Sequence, residues 1–208
     1  MFSPITNVSD QYPTETAILS TALNLFIMAG EDQVSVTRLI QTAAISRSVF
    51  YHYFSSKEDV YAALLLNDEL GLSPLFKNCH EDPDQGIAHL MKEFLNYRLQ
   101  SIDNYGLLLR LEAQLNAREC QLERFIQWQR LRRNHVEQFT EMARRQWDVQ
   151  SHRDDDDLRY LFALVWALAD GMVSLSKNPL YLDLIQDRRG FKRFLVKLAR
   201  QAGVKGPF

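Results

Sequence analysis

Residues 46–53 combine side chains that can read base edges with aromatic side chains that can hold the run in place. Arg47 can offer paired donors to a guanine edge or bind a phosphate. Ser48 can read either kind of base edge, and Val49 can pack against a thymine methyl. The chemistry that this run suggests is therefore recognition of double-stranded nucleic acid.

Phosphate contacts are expected around the same run. Tyr51 and Tyr53 have hydroxyls long enough to reach phosphate oxygens, and His52 is among the residues that the core does not need. Backbone N–H groups at the helix starts near Ser35 and Lys57 are further anion sites, since a helix N-terminus attracts negative charge. The residues predicted to meet DNA are Ser35, Thr37, Ser46, Arg47, Ser48, Val49, Tyr51, His52, Tyr53 and Lys57.

Three helices are predicted to position these side chains. Residues 14–29 have apolar positions at helical spacing, and Gly30 is a natural stop. The hydroxyl of Ser35 can cap a short second helix, and that of Ser46 can cap a third after a tight turn at residues 44–45. Two short helices joined by such a turn and packed on a third form a helix-turn-helix, which lays its second helix in the major groove.

At these positions the chain resembles the TetR family of regulators. The resemblance rests on Ile18-Leu19, Ala22-Leu23, Leu25-Phe26, Gly30, Ser35-Val36, Leu39, Ala43 and the block Ile45-Ser46-Arg47-Ser48-Val49-Phe50-Tyr51-His52-Tyr53-Phe54 with Ser56-Lys57-Glu58. It implies a homodimer in which each subunit presents one DNA-binding module and a divergent C-terminal domain binds an inducer. By the same resemblance, the positions that usually meet DNA are Thr37, Arg47, Ser48, Val49, Tyr51, Tyr53 and Lys57.

The chain departs from the family pattern at several positions. The turn usually holds a glycine where this chain has Ala44, and a left-handed alanine costs about 1 kcal/mol. Ile40 replaces a customary small residue, and Ser48 replaces a customary glycine. The first helix usually opens with basic residues, whereas residues 12–16 contain none. These changes bear on operator affinity more than on the fold.

The charge distribution argues against autonomous DNA binding. Through Leu66 there are six acidic and three basic residues, a balance of −3, whereas the remainder carries +1. Phosphate contacts by lysine and arginine supply most non-specific affinity, so the predicted DNA-binding segment is the acidic one. Two functions therefore stay open: a repressor that a small effector releases from its operator, or a TetR-like co-regulator that has lost autonomous DNA binding and acts through a protein partner.

Long helical patterns fill the rest of the chain. A fourth helix is predicted from about residue 57 to 70, ending at Gly71 and Pro74, and others at 85–102, 105–116, 121–149, 155–177 and 191–202. No convincing two-residue alternation occurs, so the predicted class is all-α. We expect a helix-turn-helix domain at 1–56, ordered from about residue 12, and a larger helical domain for ligand binding and dimerisation at 57–208.

The larger domain has the aromatic content of a ligand cavity, although most of its aromatic side chains must be core. The resemblance places several of these helices around the inducer pocket, and a mainly apolar cavity favours a hydrophobic or amphipathic effector. The residues predicted to bind it are Phe94, Tyr97, Arg98, Arg110, Trp128, His135, Trp166 and Asp170.

Enzymatic, metal and cofactor chemistry is not expected. No nucleophile elbow, glycine-rich phosphate loop or metal-ligand spacing occurs. The pair Cys79-His80 and the cluster of His152 with the acids at 154–157 are interpreted as loop residues, and the acids as a helix cap. Few cysteines, no signal-peptide pattern, and an apolar stretch at 158–175 interrupted by charges predict a cytoplasmic protein without a membrane partner.

A basic patch near the last helix is the remaining feature. Its members are Arg188, Arg189, Lys192, Arg193, Lys197 and Arg200. Either a partner surface or pairing at the edge of a dimer would explain it.

Overall fold

Helices form all the regular secondary structure in residues 13–81, 86–147 and 155–205, the part of the chain that this computed structural model describes. The predicted all-α class is confirmed. The helices are α1 (Pro13–Ala29), α2 (Val36–Thr42), α3 (Arg47–Tyr53), α4 (Lys57–Glu81), α5 (Ile87–Arg98), α6 (Ile102–Ala117), α7 (Glu123–Gln146), α8 (Asp155–Ser176), α9 (Pro179–Leu184) and α10 (Arg188–Lys205), with a 3₁₀ turn at Glu31–Gln33.

The described chain divides into two compact units. The first contains the residues up to Gly71 and Gly106–Leu131, and the second contains Leu72–Tyr105 and the residues from Arg132 onward. Helices α4, α6 and α7 each contribute residues to both units. The functional boundary predicted at residue 56 differs from this packing boundary and stays a prediction.

The first unit is built around the apolar side of α1. Ile18, Ala22 and Phe26 recur every four residues and are completely or almost completely buried. Spacing of this kind places them on one helix face. Further core side chains come from α2, α3, the first half of α4, and the α6–α7 pair; they include Leu39, Phe50, Phe54, Tyr61, Leu111, Leu115, Phe125 and Trp128. The helix-turn-helix thus shares one core with α6 and α7.

Helix α4 is longer than its sequence predicts. It runs to Glu81 with Pro74 inside it, so the predicted end at Gly71 and Pro74 is wrong. Proline removes one helical hydrogen bond and costs about 3 kcal/mol in a helix interior. Pro74 is exposed, whereas Leu72 and Phe76 on the same stretch are fully buried. Burial of the inner face of this segment therefore outweighs the local preference against helix.

The second unit has an aromatic core centred on Phe162 of α8. Its ring lies 5.0–6.2 Å from those of Phe76, Phe94, Phe139 and Trp166. These four side chains belong to α4, α5, α7 and α8, and together with Phe162 they fill the interior of the second unit.

The helix pair α5–α10 is tied at both ends. Lys192 Nζ donates to the carbonyl of Leu99 at 2.6 Å. At the other end, the side chain of Gln146 accepts from Ile87 N at 2.8 Å and donates to Gly203 O at 3.3 Å. A Cβ on Gly203 would lie 2.7 Å from Ala88 Cα, so this glycine permits the close approach of the two helices.

Helix α8 contains an apolar segment, Asp156–Ser176, that is long enough to cross a membrane, and 39% of its most apolar window is buried. A core helix of a globular protein passes the same test of length and composition. One such helix does not indicate a membrane protein.

Most long helices lie close to their predicted bounds, although residues 85, 148 and 149 of those predictions lie outside the described ranges, as do His152 and Asp154 of the cluster interpreted as a loop and helix cap. Helix α9 was not predicted. Its signal is the pair Asn178-Pro179, because Asn178 Oδ1 accepts from Leu180 N at 2.9 Å and proline occupies the first turn.

Candidate nucleic-acid interface

The turn between α2 and α3 is a Schellman motif with an alanine in the left-handed position. Ala44 has a φ of 53°. The N–H of Ala44 donates to Gln41 O, and that of Ile45 donates to Ile40 O, both at 3.2 Å. These two bonds satisfy the last carbonyls of α2. The position at which the family usually has glycine therefore adopts the predicted left-handed conformation. Because alanine occupies this position here, its backbone is strained.

Serine caps fix where both short helices begin. Ser35 Oγ accepts from Arg38 N at 3.2 Å, and Ser46 Oγ accepts from Val49 N at 3.1 Å. Each hydroxyl satisfies one of the N–H groups that a helix start leaves unpaired. Both predicted caps are confirmed. Ser46 consequently sets the point from which the side chains of α3 project.

Helix α3 has an aromatic inner side and a polar outer side. Phe50 is fully buried, as is Phe54 just after the helix, whereas Arg47, Ser48 and Tyr51 are exposed. Among the other predicted contacts on α3, His52 is exposed, and Val49 and Tyr53 are half-buried. The outer side of α3 is therefore not covered by its own unit.

The exposed residues of α2 and α3 interact with each other. Arg47 Nη2 donates to Thr37 Oγ1 at 3.3 Å, which connects the two helices. On α3, the Tyr51 ring meets Phe50 edge-on at 5.3 Å, and the His52 ring meets Tyr53 edge-on at 4.9 Å. Arg47 and Thr37, predicted separately to contact DNA, thus share one surface.

Lys57 has other partners in this structure. Its Nζ donates to Glu31 O at 3.2 Å and lies 5.7 Å from the centre of the Tyr61 ring. The Tyr61 hydroxyl donates to the same carbonyl at 3.3 Å, and burial raises the pKa of Tyr61 above its ordinary value. Lys57 therefore holds the 3₁₀ turn, and its contact with a phosphate stays a prediction.

The start of α4, the anion site predicted near Lys57, carries a carboxylate of its own. Asp59 Oδ2 accepts from Ser55 N at 2.9 Å and from Ser55 Oγ at 3.1 Å. Ser56 Oγ accepts from Asp59 N at 3.2 Å. Because the carboxylate of Asp59 already complements the positive end of the α4 dipole, the start of α4 attracts an added phosphate less strongly than the start of α3 does.

Three acidic residues of the described N-terminal segment, Glu15, Glu31 and Asp59, are paired with arginines of α6 and α7. Arg110 donates to both carboxylate oxygens of Glu31, at 2.8 and 2.9 Å. Arg124 donates to Asp59 at 2.9 Å and to Glu15 at 3.0 Å. The hydrogen bond that Arg110 donates to Glu31 raises the pKa of Arg110 above its ordinary value.

The remaining two acids of the described segment up to Leu66 also face α6 or its end. Glu58 accepts from Arg118, and Asp32 accepts from Gln114 Nε2 at 3.3 Å. Burial alone would raise the pKa of Glu58, but hydrogen bonds from its own N–H and from Arg118 lower it overall. Between Val34 and Phe54 the sequence has two arginines and no acid. The residue count that argued against DNA binding thus missed that the acids are engaged elsewhere.

Six of the eight predicted effector residues belong to the second unit. Arg98 is buried, with its guanidinium carbon 5.3, 5.7 and 5.1 Å from the rings of Phe94, Tyr97 and Tyr105. The Tyr105 hydroxyl donates to Asp170 Oδ1 at 2.6 Å. Burial raises the pKa of Tyr105, and the bond to Asp170 adds to the shift. The predicted residues Phe94, Tyr97, Arg98 and Asp170 thus form one connected group.

Trp166 and His135 lie in two other groups of the same unit. Arg132 stacks over the Trp166 ring at 4.6 Å. His135 is buried and lies flat against Phe76, with ring centres 4.3 Å apart, and its Nε2 is 3.2 Å from Ser73 Oγ.

Arg110 and Trp128 belong to the first unit. Arg110 pairs with Glu31 as described, and Trp128 stacks on Phe125 at 5.1 Å in the core shared with the helix-turn-helix. No local signal in the sequence distinguishes these structural roles from ligand binding. A pocket role for any of the eight residues stays a prediction.

Comparison with known proteins gives a consistent result. The model of "Bacterial regulatory proteins, tetR family" matches residues 18–64. The regulator UidR of Escherichia coli K12 is 31% identical over 94 residues, which is 45% of this chain and 43% of UidR, so less than half of that relative is matched. The repressor AcnR of Corynebacterium diphtheriae is 23% identical over 171 residues, 82% of this chain and 85% of AcnR.

A solved structure shows the same fold. A tetR-family regulatory protein from Rhodococcus RHA1 superposes with a TM-score of 0.62 at 14% identity, covering 92% of this chain and 97% of that one. The matched segment, residues 18–64, begins within α1 and ends in the buried first turns of α4. It includes the turn between α2 and α3, both serine caps and the aromatic residues that anchor α3. Residues 18–64 therefore match the TetR family of bacterial regulatory proteins, and the described fold is one that a tetR-family protein also has.

Proposed function

We propose that this protein is a cytoplasmic, DNA-binding transcriptional regulator that a small effector releases from its operator. The observation that carries the proposal is the division of α3 into two sides. Phe50 and Phe54 anchor the helix in the core, while Arg47, Ser48 and Tyr51 project from it. A recognition helix needs this arrangement, because its base-reading side chains must enter the groove while the helix stays fixed to its support.

The charge arrangement supports the same function. Arg38 and Arg47 lie on an acid-free segment, and the described acids that precede and follow it are in ion pairs or hydrogen bonds with residues of α6, of α7 or of the turn between them. Phosphates approaching α2 and α3 would therefore meet two guanidinium groups rather than the net charge of −3 that the segment up to Leu66 carries as a whole.

A homodimer would supply the second recognition helix. Tyr160 and Leu164 lie four residues apart on α8, as do Phe194 and Leu198 on α10, and all four are exposed. Residues at this spacing share a helix face, and exposed apolar stripes of this kind mark subunit interfaces. A two-fold dimer through α8 and α10 would present two copies of α3 to successive major grooves.

The effector would bind in the second unit, where aromatic rings surround Arg98. A ligand with a largely apolar body could pack on such rings, while polar groups such as those of Arg98 and Asp170 fix its orientation. Effector binding would favour a pose of the dimer that does not fit the operator, so repression would be lifted by a population shift. The relative AcnR bears the name of a repressor, which supports this sign of regulation.

A mobility-shift assay tests the proposal directly. We expect the purified dimer to shift a duplex from the promoter region of its own gene, and the shift to weaken steeply with salt because phosphate contacts release counterions. The Arg47→Ala variant should bind this duplex more weakly at every salt concentration. A correctly folded dimer that gives no shift even at low salt would contradict the proposal.

The second candidate is a co-regulator that acts through a protein partner without binding DNA alone. Two observations favour it: α1 contains no basic residue, and Lys57 is engaged by Glu31 O. The same assay separates the two functions, since this candidate predicts no shift by the isolated protein at any salt concentration.

A further inference from the structure

Two adjoining cavities lie along the α5–α10 pair of the second unit. One has a volume of about 420 Å³ and is lined by Gly86, Ala88, His89, Lys92 and Arg200. The other has a volume of about 290 Å³ and is lined by Lys92, Asn96, Lys192, Arg193, Val196, Lys197 and Arg200. Lys92 and Arg200 line both cavities, and we call the two together the basic trough.

The basic trough is lined by groups that attract anions. Among the described residues, its ionisable lining side chains are all lysine, arginine or histidine. The side chain of Asn96 adds a neutral hydrogen-bonding group, and its Nδ2 lies 3.5 Å from Glu93 Oε2. The trough thus concentrates positive charge in a protein whose net charge is −2.

Neighbouring groups of the protein itself balance only part of that positive charge. Lys92 pairs with Glu93 at 2.6 Å, and Arg193 lies 3.5 Å from Asp187 in an exposed pair. Lys192 donates to Leu99 O, and burial lowers its pKa. Within the described residues, Lys197 and Arg200 have no hydrogen bond or ion pair.

The arrangement of the cations along α10 is unfavourable without an anion. Arg193, Lys197 and Arg200 follow one another at spacings of four and three residues, so they lie along one helix flank. Like charges at these spacings destabilise a helix. An anion held between them would relieve this repulsion.

The walls of the trough are held in place. The bonds of Lys192 and Gln146 tie α5 and α10 at both ends, and Gly203 brings the helices close. The cavity beside Gly86 also lies at the start of α5, where Gly86 provides no side-chain cap. The amide oxygen of Gln146 already accepts from Ile87 N at this helix start, so the attraction for an anion comes from the lysines and arginines rather than from the helix dipole.

The basic trough borders the surface expected in the dimer without coinciding with it. Phe194 and Leu198 each directly follow a trough cation in sequence, and one residue corresponds to a rotation of about 100° around a helix. Lys197 lies three residues after Phe194 and is therefore next to the apolar stripe, whereas Arg200 lies about 120° or more around the helix from both apolar side chains, so a dimer through that stripe leaves Arg200 on another flank of α10.

We propose that the basic trough binds a small polyanion, a molecule with at least two phosphate or carboxylate groups. The combined volume falls in the range of small-ligand sites. Arg200 can bind a phosphate or carboxylate through two parallel hydrogen bonds, while Lys197 and Lys92 supply point charges on either side. This site is separate from α3 and from the aromatic group around Arg98, and it does not depend on the proposed function.

Isothermal titration calorimetry with two probes tests the site. Inorganic pyrophosphate represents phosphate ligands and citrate represents carboxylate ligands, each titrated at constant ionic strength. We expect at least one probe to bind saturably, with a Kd of about 1 mM or tighter. Preference for one probe identifies the anionic group, and absence of saturable binding by both would overturn the proposal.

Two double variants locate the binding. Lys197→Ala/Arg200→Ala removes two exposed cations without an internal partner, so the fold should persist, and binding should weaken about tenfold or more because two charge-assisted bonds are lost. Arg188→Ala/Arg189→Ala is the matched control, since it removes two exposed cations of α10 that do not line the trough. Equal loss of affinity in both variants, or in neither, would overturn the assignment.

Discussion

Arg47 on α3 and Thr37 on α2 are joined across the turn by a hydrogen bond of 3.3 Å from guanidinium Nη2 to hydroxyl Oγ1. Guanidinium has five N–H donors, so this bond leaves the others available to a base edge or a phosphate. The contact limits the rotamers of Arg47 before DNA arrives and thereby lowers the entropy lost on binding. Thr37 thus has two possible roles: to position Arg47 and to contact DNA itself.

The first prediction separates the direct and positioning roles of these residues. Arg47→Ala should weaken operator binding by about 1–3 kcal/mol, the range of a lost bidentate base contact. Thr37→Val keeps the side-chain shape but removes the acceptor, so the loss should be smaller, about 0.5–1.5 kcal/mol. Fluorescence anisotropy with a labelled operator duplex measures both.

Arg133→Ala is a suitable control because Arg133 is an exposed arginine of the second unit. Its affinity should equal that of the wild type, and circular dichroism should show all three variants folded. Wild-type affinity in Arg47→Ala would mean that another surface enters the groove.

Local signals in the sequence predicted the helix-turn-helix in detail. The caps Ser35 and Ser46 and the stop at Gly30 depend on residues only a few positions away, and the aromatic anchor depends on helical spacing. The ion pairs of Glu31 and Asp59 could not be predicted, because their arginines lie 79 and 65 residues further along the chain. A count of charges by segment says nothing about such pairs.

The error in the predicted end of α4 has a different physical origin. Gly71 and Pro74 oppose helix locally, and only the burial of Leu72 and Phe76 in the assembled unit overrides that preference. The predicted effector set stays a prediction for a related reason. Aromatic residues on amphipathic helices are consistent with both a core and a cavity, and the spacing of Arg110 gave no indication of its bidentate bond to Glu31.

A second prediction concerns this pair. Glu31 is 5% exposed, so Arg110→Met would leave a buried carboxylate without its arginine and should destabilise the protein by about 1–3 kcal/mol. Glu31→Gln/Arg110→Met removes both charges and should recover part of that loss. Urea unfolding followed by circular dichroism measures the series. A double variant no more stable than Arg110→Met would show that the unpaired charge is not the cause.

A third prediction uses the lowered pKa of Glu58. Because folding lowers that pKa below its ordinary value of 4.5, the ionised carboxylate stabilises the folded state above this pH. The stabilisation should disappear as the pH falls from 4.5 through the folded-state pKa. Glu58→Gln should therefore cost about 0.5 kcal/mol near neutral pH, as expected for a partly exposed ion pair, and nothing in acid.

Urea unfolding of wild type and Glu58→Gln at several pH values checks this dependence. Arg118→Met should reproduce only part of this loss of pH dependence, because Arg118 is a side-chain partner of Glu58 but the hydrogen bond from the N–H of Glu58 itself remains. A difference between wild type and Glu58→Gln that stays constant into acid would contradict the assignment.

A fourth prediction follows from the left-handed Ala44. With φ at 53°, this alanine has a strain that glycine lacks. Ala44→Gly should stabilise the protein by about 0.5–1 kcal/mol, after the larger entropy of glycine in the unfolded chain is subtracted. The neighbouring Ala43 has an ordinary helical φ of −75°, so Ala43→Gly is the matched control and should destabilise by a similar amount. If the two adjacent substitutions change the free energy of unfolding in opposite directions, backbone strain at Ala44 is the cause. A change in the same direction for both would exclude it.

The fifth prediction tests whether operator binding requires the dimer. Phe194 is 58% exposed and Leu198 is 38% exposed on one flank of α10. Phe194→Asp/Leu198→Asp would place two charges in an apolar interface, where burial without partners is unfavourable, so the variant should be monomeric by sedimentation velocity. Its helix content should be unchanged because neither side chain is buried within the subunit. Operator affinity should fall by at least about tenfold, since one recognition helix would bind a half-site without the second. A monomer with undiminished operator affinity would contradict the paired-helix mechanism, and a variant that stays dimeric would place the interface elsewhere.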